Sequence, residues 1–322
     1  MLLSVRDLRS GFFLDEGEVW AVDGVSFDVG HGEVVGLVGE SGCGKSMVAH
    51  SILGLVPPPG RVVSGSVRLE GRDLTNLPPA EQRRVRGGDI GLVFQEASAA
   101  LNPVLRIGDQ IAEVLRLHRG LGRREASAEA VRILGELGIA EPEKRARSYP
   151  FELSGGMKQR ALIAIAIAGR PRLLIADEPT TALDVTVQAE IADLLVHVQQ
   201  RHGMAILVIS HDLAMVAELS ERLLVMYAGR IVETGGTRDV MASPRHPYTK
   251  GLLAAVPRLG EGSGSPLRGI PGEVPDLLDL PPGCSFHPRC PLADDECTAE
   301  PPRLRGLEHG GACACFKVES GG

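Results

Sequence analysis

The sequence predicts an α/β protein whose parallel strands alternate with helices. A helical block interrupts this core, and a cysteine-rich segment follows it. Short apolar runs at 33–38, 173–176 and 205–209 are each followed by glycine or polar residues and then by a helical pattern. Aromatic residues make up only 3% of the chain, so the core must be aliphatic, as is typical of a sheet covered by helices.

Size and charge narrow the class of protein. The chain has 322 residues, of which 43% are hydrophobic and 23% charged, an ordinary globular composition. The formal net charge is -7, and a negative net charge gives no indication of nucleic-acid binding, which relies on a basic surface. The sequence contains no apolar run near the roughly 18 residues of a membrane span, and its first residues lack the plan of a signal peptide. We therefore expect a cytoplasmic chain that reaches a membrane only through partners.

The predicted elements follow one another along the chain. Alternating apolar positions at 19–27 and the run at 33–38 predict strands, and a helix is expected from Lys45 to about Leu55. Helical patterns then fill 97–169 and 185–201, and the remaining strands are expected at 90–94, 173–176, 205–209, 223–226 and 230–233. A Gly/Ser/Pro-rich stretch at 260–266 introduces the last segment. The predicted domains are a core (1–95 and 172–243), a helical subdomain (96–171) and a C-terminal extension (244–322).

The first functional motif is a glycine-rich loop between a predicted strand and a predicted helix. Residues 39–46 read GESGCGKS and fit the G-x-x-x-x-G-K-[ST] pattern of a phosphate-binding loop. Backbone N–H groups of such a loop point at phosphate oxygens, the lysine reaches the β and γ phosphates, and the serine holds Mg²⁺. The alternative is a strand-to-helix turn with a chance Lys-Ser pair. The candidate nucleotide contacts are Gly39, Ser41, Gly42, Cys43, Gly44, Lys45 and Ser46.

Polar residues also stand at the ends of other predicted strands. Asp177 and Glu178 follow the strand predicted at 173–176. Asp177 would bind Mg²⁺ through water, and Glu178 would orient or deprotonate the attacking water. Taken alone they could equally be solvated acids. Gln95 and His211 follow two further strands, and parallel strands deliver their carboxyl ends to one edge of a sheet.

A helix-opening sequence completes an ordered set of motifs. Residues 153–160 read LSGGMKQR, with Ser154 as a natural N-cap and Gly155 and Gly156 permitting close backbone approach. The chain resembles the ABC ATPase family over about residues 1–245. The resemblance rests on the order of its motifs along the chain: the phosphate loop, Gln95, LSGGMKQR, Asp177-Glu178, residues 181–184 (TALD) and His211. The resemblance implies a RecA-like core with an antiparallel β part and an inserted helical subdomain.

The resemblance also implies a role for each motif. Lys45 and Ser46 contact phosphate and Mg²⁺, and Glu178 is the catalytic carboxylate. Gln95 senses Mg²⁺ and water, His211 contacts the γ phosphate, and Asp184 crosses a dimer interface. Ser154, Gly155 and Gly156 bind ATP held by an opposite subunit. Phe12 falls where an aromatic ring stacks on adenine, with Phe13 and Trp20 as competitors. Cys43 occupies a position that is often Ser, and its oxidation is a concern.

The C-terminal extension indicates a branch of that family. Residues 244–253 and 283–291 resemble stretches of oligopeptide and dipeptide (peptide/nickel) importer ATPases. The branch resemblance implies ATP-driven peptide import at the cytoplasmic face of the cell membrane. The implied partners are a second ATPase (favoured as a paralogue), two membrane permease subunits and an extracytoplasmic substrate-binding protein, without nucleic acid. The alternatives are the same engine for nickel or another small solute, and a soluble ABC ATPase outside transport.

The cysteines of the extension suggest an inorganic cofactor. Cys284, Cys290, Cys297 and Cys315 lack the short C-x2-C pairs usual in zinc ribbons, and four thiolates can hold a [4Fe-4S] cluster. The branch resemblance favours that cluster. Zinc with His287 as a spare ligand and unligated thiols are the alternatives, and Cys313 competes with Cys315 for the fourth place.

Overall fold

The computed structural model describes residues 1–181, 183–255, 269–308 and 310–318, so the stretch predicted at 260–266 lies outside the described residues. The strands are β1 (Leu3–Leu14), β2 (Gly17–Val29), β3 (Val34–Val38), β4 (Arg61–Leu69), β5 (Arg72–Asp73), β6 (Ile90–Val93), β7 (Leu173–Asp177), β8 (Ala205–Ser210), β9 (Arg222–Tyr227), β10 (Arg230–Gly236), β11 (Arg305–Gly306) and β12 (Ala312–Cys313).

Helices connect or flank these strands. They are α1 (Lys45–Leu53), α2 (Pro79–Arg84), α3 (Ala97–Ala100), α4 (Ile107–Arg119), α5 (Arg123–Glu136), α6 (Pro142–Arg145), α7 (Gly155–Ala168), α8 (Val185–His202), α9 (Leu213–Leu219), α10 (Thr237–Ala242), α11 (Pro247–Ala255) and α12 (Asp295–Ala299). Within the described ranges, no helix is both long and apolar enough to cross a bilayer.

The chain forms two compact units. Unit one comprises 1–2, 29–33 and 76–208, and unit two comprises 3–28, 34–75 and 209–322. In unit one β6 and β7 are parallel, with Val93 opposite Ala176, and β7 is buried along its whole length. The predicted helical region forms α3 to α7, in which α4 packs against α5 and α7. The predicted boundaries of the helical subdomain stay a prediction.

Unit two combines an antiparallel sheet with parallel strands. The order β2-β1-β4-β5 forms the antiparallel sheet, in which Leu3 lies opposite Leu69 and Gly11 opposite Arg61. β3 and β9 are parallel and fully or largely buried, and β10 pairs antiparallel with β9 and with β12. The predicted α/β class, with an antiparallel β part, is therefore confirmed.

The sequence pattern did not reveal β1 and β4 as separate strands. Most of β4 is exposed or half-buried, and it contains Gly65 and two serines, so it lacks the apolar signal of a core strand. Its partner β1 carries an irregular register between Arg6 and Ser10. Backbone pairing between these strands, rather than burial, explains why the periodicity did not disclose β4.

Candidate functional site

The phosphate loop joins β3 to α1 in unit two, as its motif predicts. Gly44 is the N-cap of α1 with a left-handed φ of 103°, and a Cβ at this position would overlap the carbonyl oxygen of Ala21. Gly42 is also left-handed, with φ 82°, and a Cβ there would face open space. Glycine is thus required at Gly44 both by its left-handed backbone and by the close carbonyl oxygen, and at Gly42 by the left-handed backbone alone.

Two buried side chains line the interior of the loop. Lys45 is 6% exposed, and its Nζ donates hydrogen bonds to the carbonyl oxygens of Gly39 (2.8 Å) and Glu40 (2.9 Å). Cys43 is fully buried, and burial raises the pKa of its thiol. A buried, protonated thiol reacts slowly, so the concern that Cys43 is prone to oxidation is not supported by its surroundings. Ser41 is exposed and Ser46 half-buried.

Asp177, predicted to bind Mg²⁺ through water, and Glu178, predicted to be the catalytic carboxylate, lie at the end of β7 in unit one. Asp177 is 4% exposed and Glu178 is 6% exposed. Glu178 has a left-handed φ of 49°, which is unusual outside glycine and is a form of backbone strain that clusters at functional sites. The Thr181 hydroxyl donates to Glu178 Oε2 (3.2 Å), and the Thr181 N–H donates to the Glu178 carbonyl (3.2 Å). These bonds fix the direction of the Glu178 side chain.

Gln95 stands at the same sheet edge as these carboxylates. Because β6 and β7 are parallel with Val93 opposite Ala176, Gln95 leaves the sheet beside the end of β7. Its side chain is exposed. The strand register thus brings together Gln95, Asp177 and Glu178, the three polar residues predicted for Mg²⁺ and water.

His211 lies in unit two, directly after β8, and is exposed. The next residue, Asp212, is the N-cap of α9, where its carboxylate accepts the N–H of Met215 (3.1 Å). The Ser210 hydroxyl accepts the N–H of Asp212 (3.1 Å). The backbone that carries His211 is therefore held on its C-terminal side by a capped helix.

Residues 153–160 form a capped helix start in unit one. Ser154 is the N-cap of α7 and accepts the N–H of Met157 (3.4 Å), as the sequence predicts. A Cβ at Gly156 would lie 2.9 Å from Val187 Cγ1, so α8 approaches α7 too closely for a larger residue. Asp184 in turn caps α8 by accepting the N–H of Val187 (3.0 Å). Ser154 and Gly155 remain exposed, which leaves the helix N-terminus open to an anion.

The candidate adenine-stacking residues lie in unit two. Phe12 is half-buried and packs against Gly60, where a Cβ would meet its ring at 2.8 Å. Phe13 and Trp20 pack edge to face with ring centroids 5.8 Å apart. The Arg61 guanidinium lies over Phe13 (4.3 Å), and the Arg9 guanidinium lies over Trp20 (4.2 Å). Both competitors thus have a face occupied by a cation, and the assignment to Phe12 stays a prediction.

Four cysteines of the extension surround one small cavity. Cys284, Cys290, Cys297 and Cys315 line it, whereas Cys313 lies in β12, opposite Glu233 of β10. The pKa of the Cys284 thiol is raised to about 11, mainly by burial and in smaller part by the other three cysteines of the cavity. Among the described residues, no three His, Cys, Asp or Glu side chains are grouped so that they could hold a metal ion. The predicted metal site is therefore not confirmed.

Three residues to which the sequence pattern gave no role form a contact between the phosphate loop and the C-terminal extension. Glu40 lies at a variable position of the loop motif, and Tyr248 and Arg289 lie in the two stretches that indicated the branch. The Glu40 N–H donates to the Tyr248 hydroxyl (2.8 Å), and the Arg289 guanidinium binds the Glu40 carboxylate. Only the fold reveals these contacts, because more than 200 residues separate the partners.

Two protein families match the chain. Residues 22–181 match the family described as ABC transporter, and residues 232–297 match the family described as oligopeptide/dipeptide transporter, C-terminal region. Oligopeptide transport ATP-binding protein OppD of Escherichia coli (strain K12) is 48% identical over 316 residues, which cover 98% of this chain and 93% of that protein. OppD of Mycobacterium tuberculosis is 50% identical over 99% of this chain and 52% of that longer protein.

Solved structures show the same fold. A bacterial ABC transporter cassette, determined as a dimer, superposes with a TM-score of 0.66 at 28% identity, covering 73% of this chain and 99% of that one. A dimeric cassette in a post-hydrolysis state with ADP and Pi gives the same TM-score at 27% identity.

Proposed function

The chain belongs to the ABC transporter ATPases, and we propose that it is the ATP-hydrolysing subunit that powers import of dipeptides or oligopeptides. One observation carries the choice of branch: the ATPase family match is followed in the same chain by the oligopeptide/dipeptide transporter C-terminal region. Nearly full-length identity of 48% to OppD supports it. A nickel transporter and a soluble ABC ATPase are not favoured, because these relatives are named for oligopeptide transport.

The geometry of the loop supports a role in binding the triphosphate. The glycine-rich loop and the start of α1 that follows it can offer backbone N–H groups to phosphate oxygens. The Lys45 ammonium group is held on the loop and supplies positive charge to the β and γ phosphates. Ser46, Gln95 and Asp177 have the oxygen donors that Mg²⁺ prefers, Asp177 through water. Bound magnesium supplies charge neutralisation at the phosphates.

The hydrolytic step is assigned to the strained residue at the end of β7. The Glu178 carboxylate orients the attacking water and accepts its proton as the water oxygen bonds to the γ phosphorus. The bond from the γ phosphorus to the bridging β–γ oxygen breaks, and ADP leaves with that oxygen. The Thr181 hydroxyl donates to one carboxylate oxygen and helps to hold the side chain at the end of β7. His211 contacts the γ phosphate from the end of β8. These roles are proposed from the family and are supported by burial, strain and hydrogen bonding of the individual residues.

A second subunit completes the proposed mechanism. Ser154, Gly155 and Gly156 present an open helix N-terminus to the γ phosphate of ATP bound by the opposite ATPase, which we take to be a paralogue. Closure of the pair is favoured by contacts made only with ATP, and hydrolysis removes them. Two permease subunits at the cytoplasmic face of the membrane convert this cycle into alternating access, and an extracytoplasmic protein delivers the peptide.

Reconstitution tests the proposed function. The chain, its partner ATPase and two permeases are placed in liposomes with ATP on the cytoplasmic side and the binding protein with labelled peptide on the other. We expect peptide to stimulate hydrolysis and to accumulate, while Lys45→Met should abolish both. Accumulation of nickel without peptide uptake would select the other cargo. ATP turnover that never responds to permeases or solute would refute a transport function.

We further propose that the cavity cysteines hold a [4Fe-4S] cluster. Zinc needs all its ligands converging on one ion at about 2.3 Å, whereas a cluster spreads its four thiolates over four irons. The observation behind the proposal is that Cys284, Cys290, Cys297 and Cys315 line one cavity. Bound there, the cluster would contribute a structural or regulatory element.

Metal analysis of protein purified without oxygen tests the cluster. We expect about four irons and four sulfides per chain. Cys315→Ser should lose the iron and sulfide and Cys313→Ser should keep both, since Cys315 lines the cavity and Cys313 does not. Stoichiometric zinc or no metal would refute the cluster and leave the ATPase function unaffected.

A further inference from the structure

An ion pair between a buried arginine and a half-buried glutamate joins the C-terminal extension to the phosphate loop. Arg289 immediately precedes Cys290, and its side chain is only 4% exposed. Its Nη1 donates to Glu40 Oε2 at 2.8 Å and its Nη2 donates to Glu40 Oε1 at 3.0 Å. This two-pronged geometry is specific to arginine, and it neutralises the one carboxylate of the 39–46 loop.

The guanidinium is held in place by several further contacts. Arg289 Nε donates to the Pro271 carbonyl (3.0 Å), and Nη1 also reaches the Tyr227 hydroxyl (3.4 Å). The rings of Tyr227 and Phe286 lie within 5.9 and 6.0 Å of its central carbon. An arginine fixed in this way keeps little rotamer freedom, so it can impose a position on its partner.

A tyrosine from the same extension fixes the backbone of Glu40. The Tyr248 hydroxyl accepts the Glu40 N–H at 2.8 Å, and the tyrosine is completely buried. Its ring packs against Tyr227 (4.6 Å) and Phe286 (5.4 Å). The Glu40 carbonyl meanwhile accepts a hydrogen bond from Lys45. The main chain and the side chain of Glu40 are therefore both set by the extension, next to the lysine that serves the phosphates.

A carboxylate in a phosphate-binding loop is electrostatically unfavourable for ATP unless its charge is compensated. We propose that Arg289 is a positioning residue for ATP binding: it neutralises Glu40 and, with Tyr248, holds the loop in its phosphate-accepting shape. This inference rests on the proposed ATPase function. It assigns to the C-terminal extension a direct part in nucleotide affinity, in addition to whatever its cysteines bind.

A charge-rescue experiment tests the proposal on the full chain. The dissociation constant for ATP is measured by calorimetry, and KM and kcat are measured in the reconstituted complex. Arg289→Met leaves a half-buried carboxylate without its arginine partner in the phosphate loop and should weaken ATP binding about tenfold or more, with a larger change in KM than in kcat. Glu40→Gln removes the negative charge but keeps an oxygen that can accept from the Arg289 guanidinium, so it should lower affinity less than Arg289→Met does. Glu40→Gln combined with Arg289→Met should restore affinity to within about twofold of wild type.

Two further variants separate positioning from general support of the fold. Arg289→Lys keeps the charge without the fork, so it should fold and show an intermediate loss of affinity. Lys317→Met removes another cation of the extension, one that pairs with Asp294 and Glu296, and should leave ATP affinity unchanged.

The proposal would be overturned by unchanged affinity in Arg289→Met, or by a loss that Glu40→Gln does not rescue. Should Arg289→Met fail to fold, wild-type affinity in Arg289→Lys would overturn it. A wild-type chain that binds no ATP would instead refute the proposed function itself, because the variants are compared only relative to wild type.

Discussion

Protonation of a buried histidine should weaken the start of α11 in mild acid. His246 is 2% exposed, and its Nδ1 accepts the N–H of Tyr248 at 3.0 Å, which a protonated ring cannot do. Burial lowers the pKa of His246 to about 4, against 6.5 in the unfolded chain. Between these values only the unfolded state binds the proton, so the free energy of unfolding falls as pH falls from about 6.5 to about 4.

The size of this effect follows from the two pKa values. Between pH 7 and pH 5 the His246 region should lose about 2 kcal/mol of stability. Hydrogen exchange of the α11 amides, corrected for intrinsic rates at each pH, reports the local free energy of opening. His246→Asn is the matched variant, because its amide oxygen can accept the same N–H and does not titrate. An equal loss of protection in wild type and His246→Asn would refute the reasoning.

Three shorter predictions concern other buried contacts. The Glu233 carboxylate accepts hydrogen bonds from two backbone N–H groups that precede α11 (2.7 and 2.9 Å). Glu233→Gln should therefore lower the free energy of unfolding, measured by urea titration, by about 2 kcal/mol. An unchanged free energy of unfolding would contradict this prediction. Cys43 should resist iodoacetamide in the native protein and react after unfolding, as peptide mapping would show; rapid native labelling would mean that the loop is open. Gly156→Ala should destabilise the protein by about 1 kcal/mol, and Val187→Ala should remove that cost; a double-mutant cycle without coupling would contradict the packing assignment.

The sequence predicted the parts of the fold that have a strong local signal. The buried strands β3, β7 and β8 appear as uninterrupted apolar runs, and the residues after them (the phosphate loop, Asp177 and His211) were predicted because such strand ends carry ligand-binding residues. Ser154 was expected to cap a helix from its residue type and the glycines after it, and it does so.

The contacts that the sequence could not reveal are the non-local ones. β4 is stabilised by pairing with β1 and shows little periodicity of its own. The Arg289–Glu40 ion pair joins positions 249 residues apart, and each partner taken alone resembles an ordinary surface charge. The position of Cys313 is likewise non-local, because β12 places it in a strand beside β10. Short-range pattern carries no information about such pairings.

The central claim, that Glu178 catalyses ATP hydrolysis, is tested most directly by the ATP turnover of Glu178→Gln. The amide keeps the size of the side chain but cannot accept the proton of the attacking water. Glu190→Gln is the control, because Glu190 is a surface acid on α8 that pairs with Arg160. We expect Glu178→Gln to bind ATP as wild type does, to accumulate the closed ATPase pair, and to lose turnover by at least about a hundredfold, while Glu190→Gln retains it. Near-normal turnover by Glu178→Gln would show that Glu178 is not the catalytic carboxylate.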